Sequence, residues 1–232
     1  MKKAFSKIFR YIVILLLILF TLTGCSGKKD ENKIKAKVNS ELKYLENEIF
    51  TIFIKYAKDE YKTEEGFNWD SVYKEAEKLN KSLATIITDM SELNIPKDSI
   101  NSVSNEFSNL VIAISDKKEI DMFNSLYNAY VKFPEIEEIY LENNNEINKT
   151  KLKVLVLSAY KLSEFNDFDN AKQEIQNASD KYNEMIKDVN YSSNNQYNLN
   201  KIAVEIEELK SAINLENILL VRMRFVNFIE EM

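Results

Sequence analysis

An all-α fold is predicted by three features of the 232-residue chain. Apolar residues recur three and four positions apart over almost its whole length, the spacing that keeps a stripe on one side of a helix. Three glycines and two prolines are too few for the turns of an all-β chain. No stretch alternates apolar and polar residues between turn signals, as a half-buried strand would. The arrangement expected is two antiparallel, up-and-down helical bundles in tandem, with one elongated bundle sharing its long helices as the alternative, after an N-terminal signal helix.

The first element is not part of that fold. Lys2, Lys3, Lys7 and Arg10 precede an apolar run from Tyr11 to Phe20, the charged-then-apolar layout of an export signal. Roughly a dozen apolar residues fall short of the ~20 needed to cross the hydrocarbon core as a helix. Directly after the run stand Leu22, Thr23, Gly24 and Cys25, which resemble the lipobox of bacterial lipoproteins. The resemblance implies that the Cys25 thiol receives a diacylglyceryl group, that residues 1–24 are cut away, and that the acylated Cys25 becomes the first residue of the mature chain. It covers about 25 residues and implies nothing about the exported part, which resembles no family. Residues 25–33 then read as the lipidated cysteine and a short polar linker.

From Ile34 the stripe Val38, Leu42, Leu45, Ile49, Ile52 and Tyr56 predicts a long amphipathic helix. Thr63 to Asn68, with Gly66, breaks it, and Asn68 is placed to cap the next helix. Trp69, Val72, Ala76, Leu79, Leu83, Ile86, Met90 and Leu93 form that helix, stopped at Pro96. Ile100, Val103, Phe107, Leu110 and Ile114 form a third. Asp116 and Glu119 read as a capping box for a fourth, which carries Phe123, Tyr127 and Tyr130 on one stripe and ends at Pro134. A helix up to Leu162, bent at Asn143 to Asn145, and helices from Phe168 to Val189, Asn198 to Ile213 and Leu215 onward complete the chain.

Sliding the sequence against itself by 99 positions without a gap sets Trp69 on Phe168, Asp70 on Asp169, Glu75 on Glu174, Glu106 on Glu205, Leu110 on Leu209 and Ile114 on Ile213. Tyr61 and Lys62 fall on Tyr160 and Lys161 in the same register. Breaks and stripes keep step, so the chain reads as a duplication with a first unit over 34–133 and a second over 134–232. Short connections make successive helices antiparallel within each.

Composition narrows the functional classes. Removing residues 1–24 takes away four positive charges and no negative ones, so the formal net charge goes from −6 to −10. Such a balance disfavours nucleic acid, whose phosphates require a basic patch. Histidine is absent, which removes the commonest general base and the commonest transition-metal ligand. Cys25 is the only cysteine, leaving no disulfide and no cysteine metal site, and no metal or cofactor is expected. Three acidic clusters, Asp59, Glu60, Glu64 and Glu65; Glu135, Glu137 and Glu138; and Glu205, Glu207 and Glu208, could in principle supply oxygens to calcium, but consecutive glutamates on a helix diverge rather than converge. They read as solvated faces. No pair of carboxylates is singled out for acid and base catalysis, so no enzyme is expected. Trp69 reads as core. Tyr127, Tyr130 and Tyr140 form an aromatic band near the unit boundary, the position of a groove for a partner. The function expected is a membrane-anchored, extracytoplasmic, non-enzymatic binding module whose partners are membrane lipid, through Cys25, and an envelope protein. The alternative is a solute- or metal-capturing lipoprotein of a transport system.

Overall fold

The computed structural model describes residues 31–64, 66–187 and 196–232. Leu22, Thr23, Gly24, Cys25 and Glu65 lie outside the described residues. Helix α1 covers 31–57, and its stripe is buried from Val38 to Ile52. A two-stranded antiparallel ladder follows, β1 (Lys62–Thr63) and β2 (Gly66–Phe67), pairing Lys62 with Phe67 and Thr63 with Gly66. The expectation of no strand is corrected here. Gly66 adopts φ +112°, open to glycine and rarely to other residues, and lets the chain reverse in a ladder too short to show alternation.

Helix α2 (Trp69–Glu92) buries one face from Val72 to Met90, and the Asn68 side chain caps it by accepting the Ser71 N–H at 3.1 Å. Asn68→Ala is expected to lower stability by about 1 kcal/mol, read as a shift of the urea midpoint at constant slope. Helix α3 (Lys97–Ser115) begins after Pro96, where a missing N–H costs nothing. Helix α4 (Glu119–Tyr130) begins without the predicted capping box. Asp116 is instead the C-cap of α3, Lys117 turns left-handed at φ 56°, and the Lys118 N–H donates to the Ala113 carbonyl at 2.8 Å. This is a closing turn of the Schellman type, and it leaves Lys118 as the residue before α4.

Helix α5 (Phe133–Tyr140) carries Pro134 in its first turn, so the proline opens this helix rather than ending α4. The boundary expected between 133 and 134 falls inside it. The Asn143 side chain then caps α6 (Asn144–Glu164) by accepting the Asn145 N–H at 3.0 Å. Helices α7 (Phe168–Lys187), α8 (Gln196–Asn214) and α9 (Ile218–Glu231) complete the fold.

The 99-residue register recurs in the backbone. Helices α2, α3 and α4 begin at 69, 97 and 119, and α7, α8 and α9 begin at 168, 196 and 218. The α3–α4 turn is repeated bond for bond: Lys117 at φ 56° matches Glu216 at φ 52°, and the bond from Lys118 to Ala113 matches that from Asn217 to Ala212 at 3.2 Å.

Helices α1 and α2 run antiparallel, since Lys37 meets Asp89 and Lys55 meets Glu75. Helices α1 and α6 run parallel, with Lys43 on Glu146 and Lys153 on Glu46. Phe50 of α1 touches both Tyr130 of α4, at 4.9 Å between ring centroids, and Phe225 of α9, at 6.5 Å. Tyr160 of α6 stacks on Phe225 at 4.0 Å. One apolar core therefore runs through both units. Between two separate bundles and one body that shares its long helices, this core belongs to the second.

Candidate functional site

The aromatic band does not line a groove. Tyr130 is fully buried and Tyr140 is 3% exposed. Tyr130 packs edge-on to Phe50 and against Phe133, so its ring fills the core. Tyr127 is half-buried under the Lys161 ammonium, 4.2 Å from the ring centroid, a cation–π contact. Burial lowers the pKa of Lys161. The acidic clusters resolve into separate pairs: Asp59 with Lys62 and Arg222, Glu135 with Lys132, Glu138 with Lys151, Glu205 and Glu208 with Arg224, while Glu207 accepts the Ser179 hydroxyl. Glu137 is buried. Among the described residues no group of three or more acidic, histidine or cysteine side chains is arranged to hold a metal ion. No described helix is long and apolar enough to cross a membrane.

A cleft of about 760 Å³ opens instead where the end of α1, the first turn of α4 and the α6–α7 turn meet. Its walls include Tyr56, Glu119, Ile120, Asp121, Glu164 and Phe165. Tyr56 occupies the last turn of α1, and its hydroxyl donates to the Glu119 carboxylate. Burial first, and then the Glu119 bond and charge, push the Tyr56 pKa well above its ordinary value. Glu119 and Asp121 stand in the first turn of α4, where free N–H groups favour negative charge.

Behind this wall lies a guanidinium. Arg222 of α9 grips Glu164 in a two-pronged pair at 2.7 and 2.8 Å and reaches Asp59 at 2.9 Å. Its guanidinium also lies 5.6 Å from the Tyr56 ring centroid. The bonds to Glu164 raise the arginine's pKa further. Glu164 is 3% exposed and Arg222 15%, so this is a largely desolvated ion pair that ties α1, α6 and α9 together at the base of the cleft. Ile120, 61% exposed, is an apolar point on the rim.

A second, smaller recess of about 510 Å³ lies beside the β-ladder and includes Phe67, Trp69, Asp70 and Lys117. Trp69 is half-buried and packs against the apolar core, with its ring 4.6 Å from that of Phe67.

No protein-family model matches the chain, and neither a curated protein nor a solved structure matches it. The cleft is read from its own residues. It presents two carboxylates, Glu119 and Glu164, engaged by a phenol and a guanidinium, next to the exposed apolar side chain of Ile120.

Proposed function

We propose that this protein is a lipid-anchored, extracytoplasmic helical module of the cell envelope, which binds another protein and catalyses no reaction. The observation that carries the proposal is the segment Leu22-Thr23-Gly24-Cys25 behind a basic and then apolar leader. Thioether linkage to a diacylglyceryl group adds membrane affinity of ~0.8 kcal/mol for each buried methylene. The acidic balance of the exported part keeps a tethered domain soluble.

The position of α1 supports a further step. Only residues 26–30 separate Cys25 from the described start of α1, a contour of roughly 20 Å. That end of the helix would face the membrane. From residue 31 to residue 57 a helix rises ~40 Å, which carries Tyr56 and the cleft to the far end. The anchored module would thus hold its 760 Å³ cleft away from the bilayer, toward partners in the envelope.

Fractionation of cells that make the protein tests the anchor. Wild type is expected in the membrane pellet, resistant to salt and extracted by detergent. Cys25→Ala is expected to appear as a soluble chain or as an unprocessed precursor. A Cys25→Ala protein that matures to normal size and stays membrane-bound would refute the assignment.

A further inference from the structure

The recess of about 510 Å³ beside the β-ladder exists because the two units end their first helices differently. In the second unit α6 stays helical to Glu164. The counterpart of its last turn, 99 positions earlier, is the ladder: α1 stops at residue 57 and Gly66 reverses the chain. The reversal brings Phe67 to Trp69, with 4.6 Å between ring centroids. The second unit has Asn166 at the position of Phe67.

The charges beside this aromatic pair differ as well. In the second unit Lys172 of α7 reaches Glu216 at 2.8 Å and Asp169 at 3.8 Å, which ties the start of α7 to the α8–α9 turn. The matching residues of the first unit are Tyr73, Lys117 and Asp70. The acid at the helix start is kept, the lysine is replaced by an exposed tyrosine, and the turn carries a cation where the second unit has a carboxylate. Asp70, from the start of α2, and Lys117, held in the α3–α4 turn at φ 56°, both line the recess. Neither is in an ion pair among the described residues. Trp69 and Phe67 lie in the same lining, so an aromatic surface, a carboxylate and an ammonium meet in one cavity.

We infer that this recess is a saccharide subsite, which holds one neutral pyranose ring of an oligosaccharide against Trp69 and shares its hydroxyls between the Asp70 carboxylate and the Lys117 ammonium. The lining selects against other chemistries. An anion would meet Glu64 and Asp70, a cation would meet Lys117, and a purely apolar ligand would strip water from all three without replacing it. A pyranose has a face of C–H bonds, which suits the electron-rich face of an indole. Its rim of hydroxyls both donates and accepts, so it can give to a carboxylate and take from an ammonium at once. The volume lies within the ~300 to 1,000 Å³ common to ligand pockets. The inference does not depend on the lipid anchor or on the 760 Å³ cleft.

Trp69 is the only tryptophan of the chain, so its fluorescence reports this site directly. The full chain, in micelles of a detergent without a sugar headgroup, is titrated with two neutral probes, cellotriose and tri-N-acetylchitotriose. At least one is expected to give a saturable change in tryptophan emission with a dissociation constant of about 1 mM or below. Asp70→Ala and Lys117→Met, which both keep the tryptophan, should each weaken that binding roughly tenfold, the effect of losing a hydrogen bond to a charged group. Asp169→Ala, at the matching acid of the second unit, should leave it unchanged. No saturable change with either probe up to about 10 mM would overturn the inference, as would binding that survives undiminished in either site variant. Tighter binding of the de-acetylated, cationic form of the second probe than of its neutral form would make the occupant a cation and overturn the neutral sugar.

Discussion

Replacing Arg222 with alanine is expected to cost about 3 to 5 kcal/mol of folding stability, the range for removing one member of a buried ion pair. The cost does not measure how well the pair holds the fold in the wild type. It arises because the Glu164 side chain, 3% exposed, would keep its charge in a largely desolvated position with no guanidinium. Asp59, 43% exposed, can regain water and adds little. A double variant, Arg222→Met with Glu164→Leu, removes both charges and is expected to recover most of the loss, because apolar residues of similar volume commonly substitute for a buried pair at little cost. The measurement is the urea midpoint of the three chains. Equal losses in the single and double variants would show that packing of the arginine stem, not the stranded charge, is responsible. Because Arg222 also lies under Tyr56, the single variant should loosen the base of the cleft as well.

Glu137 carries the second large effect, and its sign depends on pH. The side chain is 4% exposed and one carboxyl oxygen, Oε2, has no hydrogen-bond partner among the described residues. Burial raises its pKa from 4.5 to about 7; Glu46 and Glu146 push the same way, while Thr150 and Lys153 oppose. A carboxyl whose pKa is higher in the folded state favours folding when protonated. Its full benefit is therefore present below the unfolded value near 4.5 and is lost progressively as pH rises to about 7. At pH 8.5 the ionised group costs on the order of 2 to 3 kcal/mol. Glu137→Gln is expected to raise stability by that amount at pH 8.5 and to change it little at pH 4. A gain that is the same at both pH values would contradict the assignment of the effect to ionisation.

The helices were legible because burial in this fold follows the three-and-four spacing closely. Val72, Ala76, Leu79, Leu83, Ile86 and Met90 were read as one stripe and form the buried face of α2. The repeat was legible for the same reason, and the turn at Lys117 and Glu216 adds a backbone match that no residue identity announced. What escaped the sequence is the part made by tertiary contact. Asp116 and Glu119 have the spacing of a capping box, but closure of α3 through a left-handed Lys117 takes Asp116 into the preceding helix, and Glu119 accepts the Tyr56 hydroxyl instead. Tyr130 and Tyr140 are both buried, Tyr130 against Phe50 and Phe133, and a local pattern cannot tell a surface band from a buried one. The cleft joins residues of α1, α4 and α6, and its supporting pair joins Asp59 to Arg222 across 163 positions. Nothing local marks such a site, although Arg222, one of two arginines inside the apolar pattern of α9, is a signal that could have been followed to a buried acid.

Intact mass of the protein extracted from the membranes of the cell that makes it tests the central claim most directly. The account predicts a chain that begins at Cys25, lacks residues 1–24 and carries the mass of a diacylglyceryl group on that cysteine. An unmodified chain that begins at Met1 would contradict it, and with it the placement of the cleft at the far end of a tethered module.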